Sequence, residues 1–207
     1  MAALDALLER VQQHLAHAEF AEAKAAADDA FSSAPNDERV RAMYANLNLA
    51  HGIRLVSQAV DRRAREIDER GRPGQPFEDS EAVQGIFRDA LLAFDRVLAV
   101  DPDHLKALSL KAQALFRIDR GQRAHALGLY DEAARALERT LSDESARETA
   151  RRNVLGARRR IETPCEWCDD TGFCPECTGS GWRTVLGFRR KCEACLGHGI
   201  CKRCGVL

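Results

Sequence analysis

The first 162 residues of this 207-residue chain contain no cysteine, whereas residues 163–207 contain eight. Aromatic residues make up only 6% of the chain, and no run of 18 apolar residues occurs, so no membrane span is expected. The start of the chain lacks a basic segment and carries charge at Asp5 and Glu9, which argues against a secretory signal. We therefore expect a cytoplasmic protein, and in that compartment cysteine pairs bind metals more often than they form disulfides. The Ala- and Arg-rich composition indicates a GC-rich bacterial genome.

Period-two alternation is also missing from residues 1–162, which argues against strands there. Apolar residues recur at every third or fourth position instead, which predicts an all-α body. We expect two helices within 2–31, divided near 17–19, and further helices over about 37–70, 80–99, 104–125, 130–141 and 142–162. Asp79 or Ser80 and Ser142 are the predicted caps, a turn is expected near Gly128, and the charged segment 61–70 is expected to project into solvent.

Three segments of the body share a sequence pattern: an aromatic residue begins each one and an alanine ends it, at Phe20–Ala23, Phe87–Ala90 and Tyr130–Ala133. A proline follows the first two at the same distance (Pro35 and Pro102), and Ser145 takes its place in the third. Over about residues 4–145 this pattern resembles the tetratricopeptide repeat, although the second and third copies are longer than the usual repeat.

The tetratricopeptide resemblance implies a stack of helix pairs whose concave face binds peptides or proteins. A helical bundle with a purely structural role is the alternative. Some members of the family bind a partner's terminal carboxylate, and the corresponding positions here are Leu8, Gln12, Met43, Lys106 and Leu110. Only Lys106 fits that use, so we expect no such carboxylate clamp.

The eight cysteines form four Cys-x-x-Cys pairs: Cys165/Cys168, Cys174/Cys177, Cys192/Cys195 and Cys201/Cys204. Five residues separate the pairs within each half, and fourteen residues, 178–191, join the halves. Tetrahedral zinc takes four thiolates, so the count predicts two Zn²⁺ ions. Iron–sulfur clusters and disulfides are the alternatives.

Both inner motifs, starting at Cys174 and Cys192, read Cys-x-x-Cys-x-Gly-x-Gly, and the outer two match this pattern in part. Over residues 163–207 the chain resembles the cysteine-rich domain of DnaJ-type chaperones. That resemblance implies nested pairing, with an inner site of Cys174, Cys177, Cys192 and Cys195 and an outer site of Cys165, Cys168, Cys201 and Cys204. A hairpin turning near Gly187 is compatible with this pairing, and sequential pairing is the alternative.

The predicted fold is therefore an all-α, tetratricopeptide-like helical body (1–162) followed by a small two-zinc cysteine module (163–207) that contains a β-hairpin. The hairpin is expected to expose a mixed set of apolar and cationic side chains: Trp182, Val185, Leu186, Phe188, Arg189 and Arg190. Such a surface favours a protein or unfolded polypeptide as partner. RNA binding is an alternative that charge disfavours, because the module has six Lys/Arg against five Asp/Glu and two zinc–thiolate centres bring its formal charge to about −3.

None of the six histidines is followed by proline, so the His-Pro-Asp motif through which DnaJ proteins recruit their chaperone partner is absent. The chain has no phosphate-binding glycine loop, Gly-x-Ser-x-Gly elbow or His-Glu-x-x-His motif, and His198 is not needed as a ligand where eight cysteines fill two sites. We expect a non-catalytic, zinc-binding adaptor or chaperone-like protein, with a thiol–disulfide redox protein using Cys174/Cys177 or Cys201/Cys204 as a further alternative. The oligomeric state stays open.

Overall fold

The computed structural model of the chain describes residues 2–17, 19–70, 77–201 and 203. The helices are α1 (Ala2–Ala16), α2 (Phe20–Ser33), α3 (Glu38–Arg70), α4 (Glu81–Val100), α5 (Leu105–Ile118), α6 (Arg123–Thr140) and α7 (Glu144–Glu162), with a short 3₁₀ helix at Arg120–Gln122. Two strands, β1 (Trp182–Val185) and β2 (Phe188–Lys191), follow. The body is helical as predicted, and none of the described helices is both long and apolar enough to span a bilayer.

Each helix of the body packs against the next one in the chain. In addition, α5 contacts both α3 and α7. The largest fully buried side chains, Phe87 and Phe94 of α4 and Tyr130 and Leu137 of α6, lie between these layers. The ring of Phe94 packs directly over Gly52 of α3, where an added Cβ would lie 2.5 Å from Cε1 of the ring. The close approach of α3 and α4 at this point therefore depends on glycine.

The boundary between α5 and α6 corrects the prediction of a turn near Gly128. The chain breaks at Asp119, whose carboxylate accepts a 2.7 Å hydrogen bond from the amide of Gly121. A short polar side chain that captures nearby backbone donors competes with helix, whereas glycine inside a helix costs only about 1 kcal/mol. Helix α6 consequently runs without interruption through Gly128, and Tyr130 lies inside it rather than at its start.

The predicted caps are correct at one helix and wrong at another. Ser80 precedes α4 and its hydroxyl accepts a hydrogen bond from the amide of Val83, as predicted. At α7 the cap is Asp143, not Ser142, with a 2.6 Å hydrogen bond from the amide of Ala146. Ser142 and Asp143 are adjacent and both residue types are good N-caps, so the sequence does not determine which of them begins the helix.

The expectation that segment 61–70 projects into solvent is wrong for one face of the helix. Arg63, Glu66 and Ile67 are buried. Arg63 forms a two-pronged ion pair with Asp79, and its Nη2 also donates to the carbonyl of Arg117 at 2.9 Å. The charges are tolerated inside the fold because they are paired, which a pattern of charge along one helix does not reveal.

Candidate metal centres

The inner site is a cluster of four buried cysteines. The Sγ atoms of Cys174, Cys177, Cys192 and Cys195 all lie within 4.8 Å of one another. Two of the separations are 3.9 Å (Cys174–Cys192) and 3.8 Å (Cys177–Cys195). Zinc–sulfur bonds of about 2.3 Å in a tetrahedron place the sulfurs about 3.8 Å apart, so the four thiols have the spacing that one zinc ion requires.

The two inner motifs fold into the same turn. The amides of Gly179 and Gly197 donate to the carbonyls of Cys174 and Cys192 at 3.2 and 3.0 Å. Both glycines have positive φ, 83° and 88°, a conformation that glycine adopts without strain. A Cβ at Gly179 would also lie 2.8 Å from Cδ1 of Phe173, so the glycine there is required for space as well as for conformation.

The second glycine of each inner motif points its amide at a sulfur. The amide of Gly181 donates to Sγ of Cys177, and that of Gly199 donates to Sγ of Cys195, both at 3.2 Å. Such hydrogen bonds orient a metal ligand and disperse the negative charge of a thiolate. The glycine pattern in the sequence thus corresponds to donors in the shell around the sulfurs.

Backbone pairing brings the two halves of the module together in nested order. Strands β1 and β2 are antiparallel, with Trp182 opposite Lys191 and Val185 opposite Phe188. Below the hairpin, the amide of Cys192 donates to the carbonyl of Gly181, and further down the amide of Cys201 donates to that of Gly172. The inner cysteines meet at the base of the hairpin and the outer ones meet below them, so the described sulfurs do not follow the sequential alternative.

The described part of the outer site consists of Cys165, Cys168 and Cys201, whose Sγ atoms lie within 4.8 Å of one another. Cys165 and Cys201 are 4.0 Å apart. The predicted fourth ligand, Cys204, lies outside the described residues. Three thiols at this spacing also fit a zinc ion, and a fourth ligand would complete the tetrahedron.

The outer motif departs from the inner ones at Asp170, which occupies the position of Gly179 and Gly197. Its φ is 59°, in the left-handed region where aspartate is one of the better-tolerated residues. Its Oδ1 accepts a 3.0 Å hydrogen bond from the amide of Cys165, and its Oδ2 pairs with Arg123 at the start of α6. The replacement of glycine by aspartate at this position is the one feature of the sequence that could have indicated the contact between Asp170 and Arg123.

Burial makes two of the inner thiols hard to ionise without a cation. Burial raises the pKa of Cys174 to about 12 and also raises that of Cys195. It opposes ionisation of Cys192 too, but hydrogen bonds from the backbone amides of Cys195 and Ala194 lower the pKa of that thiol. A divalent metal ion held by these four cysteines would supply the positive charge that lets all four sulfurs bind as thiolates.

The six predicted partner-binding residues all lie in the hairpin, but on different sides of it. Cross-strand neighbours share a face, so Val185 and Phe188 lie on one face and Trp182 lies on the other with Arg189. The guanidinium of Arg189 covers the Trp182 ring, 5.0 Å from its centroid. Arg190 shares the face of Val185 and Phe188. The six residues therefore do not share one face of the hairpin.

The tip of the hairpin is a two-residue turn, as predicted near Gly187. Leu186 and Gly187 both have positive φ, 51° and 81°, the conformation of a type I′ turn. Leu186 is 93% exposed and Phe188 is 70% exposed. An exposed leucine thus occupies a position that asparagine or glycine would fill with less strain.

An apolar groove lies between α1 and α3, and it includes Leu8, Gln12 and Met43. The cavity has a volume of about 670 Å³. Its apolar lining residues are Leu8, Val11, Leu15, Met43 and Leu47. The ion pair between Asp5 and Arg39, 3.2 Å long, lies at its rim.

Comparison with protein-family models, with curated proteins and with solved structures finds no match to this chain. The two family resemblances of the sequence therefore stay predictions.

Proposed function

We propose that the protein is a zinc-binding, non-catalytic adaptor that binds extended or unfolded polypeptide, with the hairpin of the cysteine module as its main contact. In this proposal the body is tetratricopeptide-like and the module is of the DnaJ type. The observation that carries the proposal is the exposed apolar tip, Val185, Leu186 and Phe188, in a ribbon whose described residues are almost all exposed.

The conformation of Leu186 is the strongest single argument. A leucine in the left-handed region costs on the order of 1 kcal/mol relative to glycine or asparagine. The side chain is 93% exposed and so recovers almost nothing by packing within the chain. Contact with a partner would account for an apolar residue there.

The ribbon also offers backbone for pairing. Each of its two strands has one edge that no described strand covers, and an extended polypeptide can add to such an edge as a third strand. Arg183, Arg190 and Lys191 are exposed along the strands. We therefore expect a client segment that combines apolar and acidic residues.

The groove between α1 and α3 is the second proposed contact. Leu8, Gln12 and Met43 line it, and the tetratricopeptide resemblance places these positions on the concave, peptide-binding face. With apolar walls, the groove suits an apolar side chain of a client rather than its terminal carboxylate.

The test is a binding titration of the zinc-loaded, full-length protein with fluorescently labelled, reduced and carboxymethylated α-lactalbumin, an acidic polypeptide that cannot refold. Val185→Ser/Phe188→Ser should weaken binding about tenfold or more, because two exposed apolar contacts are lost. Trp182→Ala probes the opposite face. Leu92→Ser, which removes a side chain 56% exposed on α4, is the matched control and should leave binding unchanged.

Equal affinity of the wild type and both hairpin variants would refute the hairpin as the contact. A salt-dependent gel shift with RNA that these variants abolish would favour the RNA-binding alternative. Turnover in an insulin-reduction assay would favour the redox alternative, in which a Cys-x-x-Cys pair acts as a reactive thiol pair.

A further inference from the structure

Two ion pairs connect the described part of the cysteine module to the helical body. The first joins Asp170 of the outer motif to Arg123 of α6, and the second joins Nε2 of His198 to Asp68 of α3 at 2.9 Å. They differ in burial. The side chains of Arg123 and Asp170 are 31% and 23% exposed, whereas that of Asp68 is 69% exposed. Solvent screens the second pair far more than the first.

The first pair reaches directly into the outer site. One oxygen of Asp170 accepts the hydrogen bond from the amide of Cys165, a proposed ligand, while the other pairs with Arg123. Arg123 is held in turn by the ring of Phe116, with its guanidinium 5.4 Å from the ring centroid. A chain of contacts thus runs from α5 and α6 through Asp170 to the backbone of a ligand.

Cationic side chains of the body face the same site. A cleft of about 550 Å³ lies between α5, α6, α7 and the outer motif, and Arg117, Arg160 and Cys165 are among its lining residues. Burial, followed by repulsion from Arg63, lowers the pKa of Arg117. The cleft is also lined by the carboxylates of Glu166 and Asp170, and Arg117 forms no ion pair with a carboxylate among the described residues.

A zinc ion with four thiolates carries a formal charge of about −2, and cations near it stabilise the loaded form. The inner site is connected to the body by the pair of His198 with Asp68, whose carboxylate is 69% exposed and which solvent therefore screens. Its four cysteines and the amides of Gly181 and Gly199 that donate to sulfur all belong to the module. The two sites therefore differ in their surroundings: the inner site is surrounded by groups of the module, and the outer site also by side chains of the body.

We infer that the helical body is part of the outer metal centre, with Arg123 acting through Asp170 as a positioning residue for Cys165. Metal binding at the outer site and docking of the module on the body are then one linked equilibrium. Metal at the inner site stabilises the fold of the module but does not affect how the module docks on the body. This inference goes beyond the proposed function and does not depend on any client.

The test uses the zinc-loaded, full-length protein and follows zinc release to an excess of a chromogenic chelator. The wild type should release its two equivalents in two phases. Arg123→Gln and Asp170→Asn should accelerate one phase about tenfold or more, the usual effect of losing a group that orients a ligand, and leave the other unchanged. Asparagine tolerates positive φ as aspartate does, so Asp170→Asn isolates the charge.

Arg158→Gln is the matched control, because Arg158 pairs with Asp131 and Glu162 inside the body. It should leave both phases unchanged, and Arg123→Lys should restore part of the wild-type rate. After cadmium substitution, ¹¹³Cd NMR should show two resonances, of which Arg123→Gln perturbs only one. Hydrogen exchange in the first turn of α6 should rise when one equivalent of zinc is removed.

The inference is overturned if Arg123→Gln leaves both release phases within twofold of the wild type, or accelerates both equally. It is also overturned if hydrogen exchange in α6 is unchanged by removal of the zinc equivalent whose release Arg123→Gln accelerates. Polypeptide binding is measured in a separate titration, so failure here is distinguishable from failure of the proposed function.

Discussion

The helical body and the cysteine module reach a buried interior by different means. In the body the largest buried side chains are aromatic and aliphatic, with Phe87, Phe94 and Tyr130 fully buried. In the described part of the module the buried side chains are the cysteines themselves, with Ile200 as the main apolar addition. A segment of this size is too small to bury an adequate apolar core. The sulfur clusters have the spacing of metal sites, and in our proposal metal coordination takes the place of that core.

The two regions also satisfy their buried polar groups differently. In the body, Glu66 is paired with Arg62 and Arg70 and accepts a 2.7 Å hydrogen bond from Ser80. In the module, backbone amides donate to sulfur. Loss of metal should therefore unfold one region, and loss of packing or of an ion pair should weaken the other.

Metal removal should have the largest effect. Zinc contributes on the order of 10–16 kcal/mol to the folding of small zinc domains, so Cys192→Ser or exhaustive chelation should unfold the module. Hydrogen exchange should become fast in β1 and β2, while circular dichroism at 222 nm keeps most of the helical signal. Added zinc should restore the chelated wild type. Loss of the helical signal on zinc removal would contradict the expectation that the body stays folded when the module unfolds.

Phe94→Ala should be the most damaging change in the body. The ring is fully buried between α3 and α4, and such truncations cost about 3–5 kcal/mol. Chemical denaturation followed at 222 nm measures the loss, and zinc content should stay at the wild-type value. Leu92→Ala on the same helix, where the side chain is exposed, should change stability by less than about 0.5 kcal/mol. Similar losses for the two variants would show that α4 is not anchored by Phe94.

Gly52→Ala and Gly128→Ala should have effects of opposite sign. An added Cβ at Gly52 would collide with the Phe94 ring, whereas at Gly128 it meets nothing within 4 Å. We expect a loss of about 1–3 kcal/mol at Gly52 from overpacking. At Gly128 we expect a gain of about 0.5–1 kcal/mol from helix propensity. Thermal and denaturant unfolding check both, and a stable Gly52→Ala variant would mean that the helices can separate without cost.

Acid should weaken the body through Glu66. A hydrogen bond from Ser80, together with Arg70 and Arg62, lowers the pKa of Glu66 from 4.5 to about 2. Because the folded pKa lies below the unfolded one, this stabilisation is complete above pH of about 5 and is lost as the pH falls from 4.5 towards 2. Glu66→Gln should cost about 1–2 kcal/mol at neutral pH.

The stability difference between wild type and Glu66→Gln should therefore shrink in that acid window. Acid also releases zinc, but both proteins share that effect, so their difference reports Glu66. A difference that stays constant from pH 6 to pH 2 would rule out this role for the carboxylate.

Leu186→Asn should have the smallest effect on stability and should increase it. Asparagine suits the left-handed position in the hairpin turn, so the module should gain up to about 1 kcal/mol. Hydrogen exchange in β1 and β2 should slow, and affinity for the unfolded polypeptide should fall because the apolar tip is lost. If the Leu186→Asn hairpin is more stable but the variant binds the unfolded polypeptide with unchanged affinity, the leucine is not needed for binding.

Cysteine and glycine spacing predicted much of the candidate site. The four Cys-x-x-Cys pairs predicted two sulfur clusters, and the link between the halves predicted a hairpin turning near Gly187. These features depend on residues close in sequence, where turn chemistry and ligand spacing are local. Helical periodicity predicted the body in the same way, and it misplaced boundaries only where Asp119 and Asp143 captured backbone donors.

Contacts between residues distant in sequence were decided by the tertiary structure alone. The periodic pattern of α3 does not show that Arg63 meets Asp79 and the carbonyl of Arg117, so segment 61–70 was expected in solvent. Strand pairing, not composition, placed Trp182 on the opposite face from Phe188. The contact of Asp170 with Arg123, 47 residues away, joins a ligand motif to a helix start. Local sequence carries the chemistry of each residue, but only the folded chain determines which residues meet.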